Sequence, residues 1–305
     1  MKQDVIVIGG GAAGLLCAIE AGKRGRSVVV LEREDRIGKK ISISGGGRCN
    51  FTNLNTDPIN YLSANPDFAK SALARFTPSD FIALVEKHGI GYHEKKLGQL
   101  FCNEGSSQII RMLLKECQDA GVKIVANCTT RRVSKAGSFT VDTDRGVFDA
   151  DSLVIASGGL SIPKIGATDF AYTMAAQFGL QTVPTRCGLV PLLWNGGAGG
   201  HFGMLSGVSL DALVRCGRTE FRENILFTHR GLSGPAILQI SSYWREGDDM
   251  TIDLLPDTDV DAQLAANQAG KIELATLLAR HLPRRLALKW CELYVPSKPM
   301  NQYAR

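Results

Sequence analysis

Apolar positions along the chain change period several times, and each change marks an element. Residues Asp4 to Ile8 (DVIVI) form a continuous β-branched run suited to a buried parallel strand. A glycine cluster follows, then LLCAIEAGKRG at helical spacing, then a second apolar run, SVVVLE, ending at Glu32. Further on, FAKSALARF and PSDFIALVEKHG read as helices, the second capped by Thr77 with Pro78 in its first turn. GIGYHEK and GQLFC read as a short strand pair, and SSQIIRMLLKECQDAG as a helix stopped by Gly121, whose Met and Leu stripe is core. Alternating runs around VKIVANCTTRRVSK and SFTVDTDRGVFDA predict a small antiparallel element. From about Gly188 the character changes to short strand-like runs: GLVPLLW, VSLDALVRC, FRENILFTHRG and MTIDLLP. These suit a small β-barrel. The basic run KIELATLLARHLPRRLALKWCELY is helical and broken by Pro283.

The order strand, glycine cluster, helix, strand predicts an α/β, Rossmann-like first domain over residues 1–187, with a helical excursion at about 59–120. A second domain of β-barrel and helices then spans 188–305. Composition agrees with a globular chain: 305 residues suffice for two domains, with 44% hydrophobic and 21% charged residues. No apolar run reaches membrane-spanning length, and MKQDVIVIGGG runs into a strand without a cleavage site, so no signal peptide is read there. The net charge of +5 contains no basic block that predicts a nucleic-acid groove. Eight scattered cysteines, with no Cys-x-x-Cys pair and no zinc spacing, predict reduced thiols, a cytoplasmic location and no metal.

The glycine cluster carries the first chemistry. Gly9, Gly11 and Gly14 form G-x-G-x-x-G with Ala12 and Ala13 between, and Glu32 lies eighteen positions beyond Gly14. Gly9 allows the tight turn, Gly11 lets backbone approach a pyrophosphate, and Gly14 lets helix pack on strand. Free N–H groups and the helix dipole favour phosphate, while Glu32 suits the ribose hydroxyls, so the residues alone leave FAD and NAD open. The turn IASGG (Ile155 to Gly159) follows the strand SLVI and brings small residues, Ser157, Gly158 and Gly159, toward such a ligand.

The stretches EREDRIGKKISISGGGRCNFTN (32–53), LVIASGGLSIPKIGATDFAY (153–172) and LFTHRGLSGPAILQIS (226–241) together resemble the HI0933-like, or aminoacetone-oxidase-like, bacterial flavoproteins. That family includes proteins described as reductases of unsaturated 3-oxo bile acids. The resemblance covers nearly the whole chain. It implies FAD as cofactor, a glutathione-reductase-type FAD domain and an inserted domain of β-barrel and helical parts. It also implies a glycine-rich segment that closes over the flavin. The sequence shows no counterpart before Arg305, so the second domain is expected to be cut short.

On this reading Gly45, Gly46 and Gly47 lie against the flavin, with Arg48 stabilising its reduced, anionic form. Asn50 and Asn53 offer paired donors and acceptors. Arg48 acting only as a loop pin through a buried salt bridge is the alternative. Arg33 and Lys40 join the cofactor set, with Lys39 as a second candidate, and the backbone at Thr130 to Val133, including Arg132 and Val133, is expected near the adenine. Cys49 reads as a small buried thiol, because no second cysteine is spaced for a redox pair. His229, beside Arg230, Ser233 and Gly234, is the expected proton shuttle, with an inter-domain structural role as its equal competitor. His201 and Tyr172 are further pocket candidates. WNGGAGGHFG (194–203) reads as a loop rather than a second fingerprint. If NADPH or NADH reduces the flavin, it does so as a transient donor without its own Rossmann domain.

The expected activity is FAD-dependent hydride transfer between flavin N5 and a small organic substrate, with reduction of a conjugated enone by NAD(P)H in front. An amine-type oxidase, a flavin-dependent RNA modifier and a non-catalytic flavin-binding protein compete with it. No nucleic acid and no membrane are expected as partners, and the oligomeric state is left open.

Overall fold

The first sheet is built around the glycine fingerprint. The computed structural model describes residues 2–194 and 201–303, and the chain divides into two compact units, Met1–Val183 and Pro184–Arg305. The glycines at 196–200 of the expected loop lie outside the described residues.

In the first unit, strand β1 (Gln3–Ile8) leads through the glycine turn into α1 (Ala12–Lys23) and β2 (Val28–Leu31). After α2 (Lys39–Ile43), β3 (Asn50–Asn53), α3 (Lys70–Arg75), α4 (Pro78–Lys87), β4 (Tyr92–Glu94), β5 (Gln99–Cys102) and α5 (Ser107–Asp119) make the excursion. Strand β6 (Lys123–Val125) returns to the main sheet, and β7 (Thr130–Ala136), β8 (Ser138–Thr143) and β9 (Gly146–Ile155) follow as a meander before α6 (Phe170–Gln177). The sheet order is β6-β2-β1-β9-β8-β7, parallel from β6 to β9 and antiparallel beyond. Ile8 is opposite both Leu31 and Ile155, so three strand ends meet at the turn that follows Ile8. That is the carboxyl edge, where open α/β sheets bind ligands.

The sequence groups VKIV with TRRVSK in one antiparallel element, and the structure separates them. VKIV pairs parallel with β2, and Asn127 breaks the run in a left-handed conformation, φ +50°. Asn and Asp tolerate that region better than β-branched residues do, so the break falls where the sequence permits it. The outermost strand, β7, carries exposed Arg131, Arg132 and Lys135, and the amide of Gln177 donates to the Val133 carbonyl at 2.7 Å.

Helix α5 buries Ile109, Met112, Leu113, Glu116 and Cys117, the spacing of one helical face. They pack with Leu15 and Ile19 of α1 and Val85 of α4. Helix α4 starts with a full capping box, Thr77 accepting from the Asp80 N–H while Asp80 accepts from the Thr77 N–H. Replacing Thr77 with Ala is expected to lower stability by about 1 kcal/mol. A lower urea midpoint by circular dichroism, with unchanged slope, checks it.

The second unit is led by β10 (Leu192–Leu193), β11 (Ser209–Cys216), β12 (Thr219–Phe227), β13 (Gly231–Ser233) and β14 (Met250–Asp253), with α7 (Pro235–Ile240), α8 (Val260–Asn267), α9 (Leu274–Leu278) and α10 (Arg284–Leu293). Where the sequence suggests a small barrel, the described strands form a five-stranded antiparallel sheet, β10-β13-β12-β11-β14. Its core holds Ala212, Val214, Ile225, Ile237, Ile240 and Leu286. Pro283 ends one helical stretch and caps the next. No helix among the described residues is long and apolar enough to cross a membrane, and none of their His, Cys, Asp and Glu residues form a metal-sized cluster.

Candidate cofactor site

A cavity of about 600 Å³ opens at the carboxyl edge of the parallel strands, within the first unit. Its floor is the fingerprint. Gly9 turns with φ +114°, and a Cβ there would meet the Ala156 carbonyl oxygen at 2.4 Å. A Cβ on Gly14 would lie 1.9 Å from the Gly9 oxygen, so this glycine holds helix against strand. Gly11 differs: its φ is −85°, open to any residue, and a Cβ there would meet nothing within 4 Å. It leaves a cradle beside the start of α1, whose first turn has no acidic residue and no side-chain cap. The unpaired N–H groups and positive end of this twelve-residue helix therefore face an anion-ready space.

Glu32 stands at the end of β2 with both carboxylate oxygens held. One accepts from the Gly10 N–H at 2.7 Å and the other from the Glu34 N–H at 2.8 Å. Each oxygen keeps a lone pair for a ribose hydroxyl in a fixed direction. The next wall comes from Cys128, Thr129 and Thr130, tied on by the Cys128 N–H donating to the Glu32 carbonyl at 2.9 Å.

Across the cavity, Ser157 and Gly158 follow β9, and the Ser157 hydroxyl is buried without a partner among the described residues. A buried hydroxyl left unpaired costs free energy, so its place in this wall fits a ligand that supplies the missing bond. Lys40 reaches this segment, donating to Ser161 Oγ at 3.0 Å and to the Gly159 carbonyl at 3.4 Å. Arg33 spans to the Gly166 carbonyl at 2.6 Å while pairing with Glu34 at 2.9 Å. Glu34 also takes Lys39 at 2.5 Å, and these two cations hold its carboxyl below the usual range. Lys39 is thereby committed to Glu34 and Asp35, and Lys40 is the lysine that bridges the cavity.

A fixed carboxylate at one side, a helix N-terminus beside the open Gly11 position, and a hydroxyl without a protein partner opposite together fit an adenine dinucleotide. A family model described as the HI0933-like protein Rossmann domain matches residues 3–275. The chain belongs to the HI0933-like family. Two curated relatives are named ribosomal RNA dihydrouridine synthase. That of Escherichia coli (strain K12) is 47% identical over 99% of this chain and 76% of its own length. That of Haemophilus influenzae is 46% identical over 95% and 74%. A 3-dehydro-bile acid delta(4,6)-reductase of Clostridium scindens is 29% identical over 83% and 64%. This HI0933-like chain is an FAD-dependent oxidoreductase with a Rossmann-type FAD-binding domain.

Of the expected site residues, the cavity brings together Gly9, Gly11, Ala12, Ala13, Glu32, Arg33, Lys40, Ser157 and Gly158. Gly14 serves packing, and Arg132 and Val133 stand apart from the lining, with Val133 buried in the sheet core. Of the expected stretch Thr130 to Val133 only Thr130 lines the cavity, joined by Cys128 and Thr129 on its N-terminal side, where the chain leaves the break at Asn127. The sequence reading also passed over Glu34 and the run Ile165 to Phe170; small residues in KIGATDF were the available signal.

Gly45, Gly46, Gly47, Arg48 and Asn50 lie beyond α2, outside the cavity lining, as does Gly159. The three glycines all have positive φ, and a Cβ on Gly45 would strike Phe101 and the Asn50 N–H at 2.7 Å. Ser106 anchors the turn, its N–H donating to the Gly47 carbonyl at 2.8 Å and its hydroxyl to the Ser42 carbonyl at 2.9 Å. Arg48 is exposed and makes no ion pair among the described residues, so the buried-salt-bridge alternative finds no partner. Asn53 is spent on its own turn, bonding the Leu97 carbonyl and the Asn55 N–H. Cys49 is buried and burial pushes its thiol up, in keeping with a core thiol. Cys102, across the strands from it, is a neighbour that sequence spacing did not reveal. In the second unit, His229 sits exposed in a turn closed by Thr228, whose hydroxyl accepts from the Gly231 N–H at 3.0 Å. His201 is exposed too.

Proposed function

We propose that this chain uses FAD to saturate a carbon–carbon double bond conjugated with a carbonyl, and that its substrate is a uridine of ribosomal RNA. The observation that carries the reading is the relative named ribosomal RNA dihydrouridine synthase, 47% identical across 99% of the chain. The more distant bile-acid reductase supports the same chemistry. Uracil C5=C6 is conjugated with the C4 carbonyl, as the double bonds of a 3-oxo-4,6-diene are with theirs, so one mechanism serves both. This reading keeps the expected enone chemistry and replaces the expected small molecule with RNA. The excess of 35 Lys and Arg over 30 Asp and Glu gives the chain a mild positive charge, the sign a polyanionic partner requires.

Gly11, Ala12 and Ala13 would hold the pyrophosphate of FAD through their N–H groups, Glu32 the ribose, and Ser157 and Lys40 the segment beyond. When bound, FAD supplies a hydride to the electron-poor carbon β to the carbonyl. The chain's task is then positional: to fix the ligand through backbone amides, shield the reacting face, and place a proton donor at the α carbon. The exposed guanidinium of Arg48 offers a cation for charge that develops on the carbonyl oxygen.

The test is mass spectrometry of nucleosides from unmodified ribosomal RNA transcripts incubated with the FAD-loaded chain and NADPH or NADH. A uridine 2 Da heavier is the expected product. Peroxide release with an amine substrate and no such nucleoside would instead establish the oxidase.

A further inference from the structure

The small sheet β3-β5-β4 has two unlike faces. Its register places Asn50 and His93 on either side of Phe101, while Tyr92 is opposite Cys102. Cys49, Cys102 and Tyr92 belong to the core shared with α1, α4 and α5, and alternation along β4 and β5 turns His93 and Phe101 the other way. Asn50, Phe101 and His93 share that other face, where His93 and Asn50 are exposed. The cysteine of the GGGRCN motif is thus buried in the core, and the open face carries an exposed imidazole.

That imidazole is held. His93 Nδ1 lies 2.7 Å from Asn103 Oδ1, an acceptor, so the Nδ1–H donates to it and Nε2 takes no part in this bond. The ring lies nearly parallel to Phe101, 22° between planes and 6.2 Å between centroids. The same Phe101 ring is in contact distance of the Gly45 position. The triple-glycine turn and the histidine therefore share one aromatic platform, and the turn continues from α2, whose Lys39, Lys40 and Ile41 line the cofactor cavity. Lys95 Nζ stands 5.4 Å from the Phe101 centroid and adds a cation to this face.

We propose that His93, oriented by Asn103, is the proton donor in the reduction. The inference rests on the conjugated-bond reading above. Hydride adds at the carbon β to the carbonyl, and the π pair moves onto the α carbon and the carbonyl oxygen. The Nε2–H of the His93 imidazolium then protonates the α carbon, leaving neutral imidazole. Asn103 is the positioning residue, because its amide oxygen fixes the ring without touching substrate.

Two substrates decide the matter in parallel: the ribosomal RNA transcript and cyclohex-2-enone, a minimal conjugated ketone. His93→Gln is expected to keep its FAD stoichiometry and visible spectrum but to lower turnover of whichever substrate the wild type reduces at least 100-fold, with partial rescue by added imidazole. Asn103→Ala is expected to lower kcat about tenfold with KM unchanged. A readout that needs no turnover is carbethoxylation of His93 by diethyl pyrocarbonate, mapped by peptide mass in the oxidised FAD-loaded protein. Whichever of the RNA transcript and the enone the wild type reduces should slow this labelling when bound. His93→Gln turnover within threefold of wild type, or labelling unaffected by either substrate, would overturn the assignment. Wild-type activity on the enone alone would remove the RNA reading and leave His93 in place, whereas activity on neither would remove both.

Discussion

A Gly11→Val chain is expected to fold and to leave purification without its yellow colour. The Gly11 position faces open space and holds an ordinary extended backbone, so the new side chain meets no protein atom within reach of its Cβ. It occupies the place where the pyrophosphate would approach the first turn of α1. Losing that approach is expected to raise the dissociation constant for FAD at least 100-fold, about 2.7 kcal/mol. The cost to folding is small, about 1 kcal/mol for a poorer residue at a helix N-cap. Gly14→Ala is the contrasting variant. Its Cβ would sit 1.9 Å from a backbone oxygen that cannot turn aside, so stability falls by about 3 kcal/mol or more. FAD titration and thermal melts of the cofactor-free chains separate the two. A Gly11→Val protein that binds FAD as the wild type does would remove the cavity from its assigned role.

The second large effect is expected at Glu116, a carboxylate with 2% side-chain exposure among α1, α4 and α5. It receives Lys87 at 2.6 Å, His88 at 2.9 Å and Lys23 at 3.1 Å. Hydrogen bonds from Lys87 and His88 lead in pulling its pKa down to about 2, against the opposing effect of burial. A carboxyl depressed in the folded chain contributes its full stability above the unfolded pKa near 4.5 and loses it as pH falls toward about 2. The ordinary conversion of pKa to free energy gives about 3 kcal/mol, and the roughly half-exposed lysines reduce this to about 2 kcal/mol. Glu116→Gln should therefore be about 2 kcal/mol less stable than wild type at pH 7. The gap should narrow steadily between pH 4.5 and 3. Urea midpoints across that range check both size and sign, and a gap independent of pH would show that the carboxylate's charge is not the cause.

The sequence made the fingerprint half of the site legible because its parts are local. Strand, glycine turn, helix, strand and acid follow one another within the first 32 residues, and each glycine's task follows from its spacing. What stayed hidden depends on pairing between distant segments. Nothing in CTTRRV says that Val133 turns inward and Thr129 faces the cavity; the break at Asn127 and the parallel return of β6 decide that. Cys49 seemed to have no cysteine near it because spacing along the chain is blind to strand pairing, which brings the Cys102 N–H to 3.4 Å from the Cys49 carbonyl. His93 was passed over for the same reason, since its exposed face exists only once β4 pairs with β5. At least one of Lys39 and Lys40 was expected near the cofactor, and both line the cavity. Only the carboxylates of Glu34 and Asp35, invisible as partners in the sequence, explain why Lys39 is tied down while Lys40 reaches across to Ser161.

The positive charges and the Gln177 amide along β7 have a consequence for crowded solution. An outermost strand offers unpaired backbone groups on which a neighbouring chain can continue the sheet. Arg131, Arg132 and Lys135 would bring like charges together in any such pairing, and the Gln177 amide already occupies one carbonyl. At the opposite margin β6 is only three residues long, too short a template to seed fibrous growth. The sheet that builds the cofactor cavity is therefore shielded against aggregation at both of its margins.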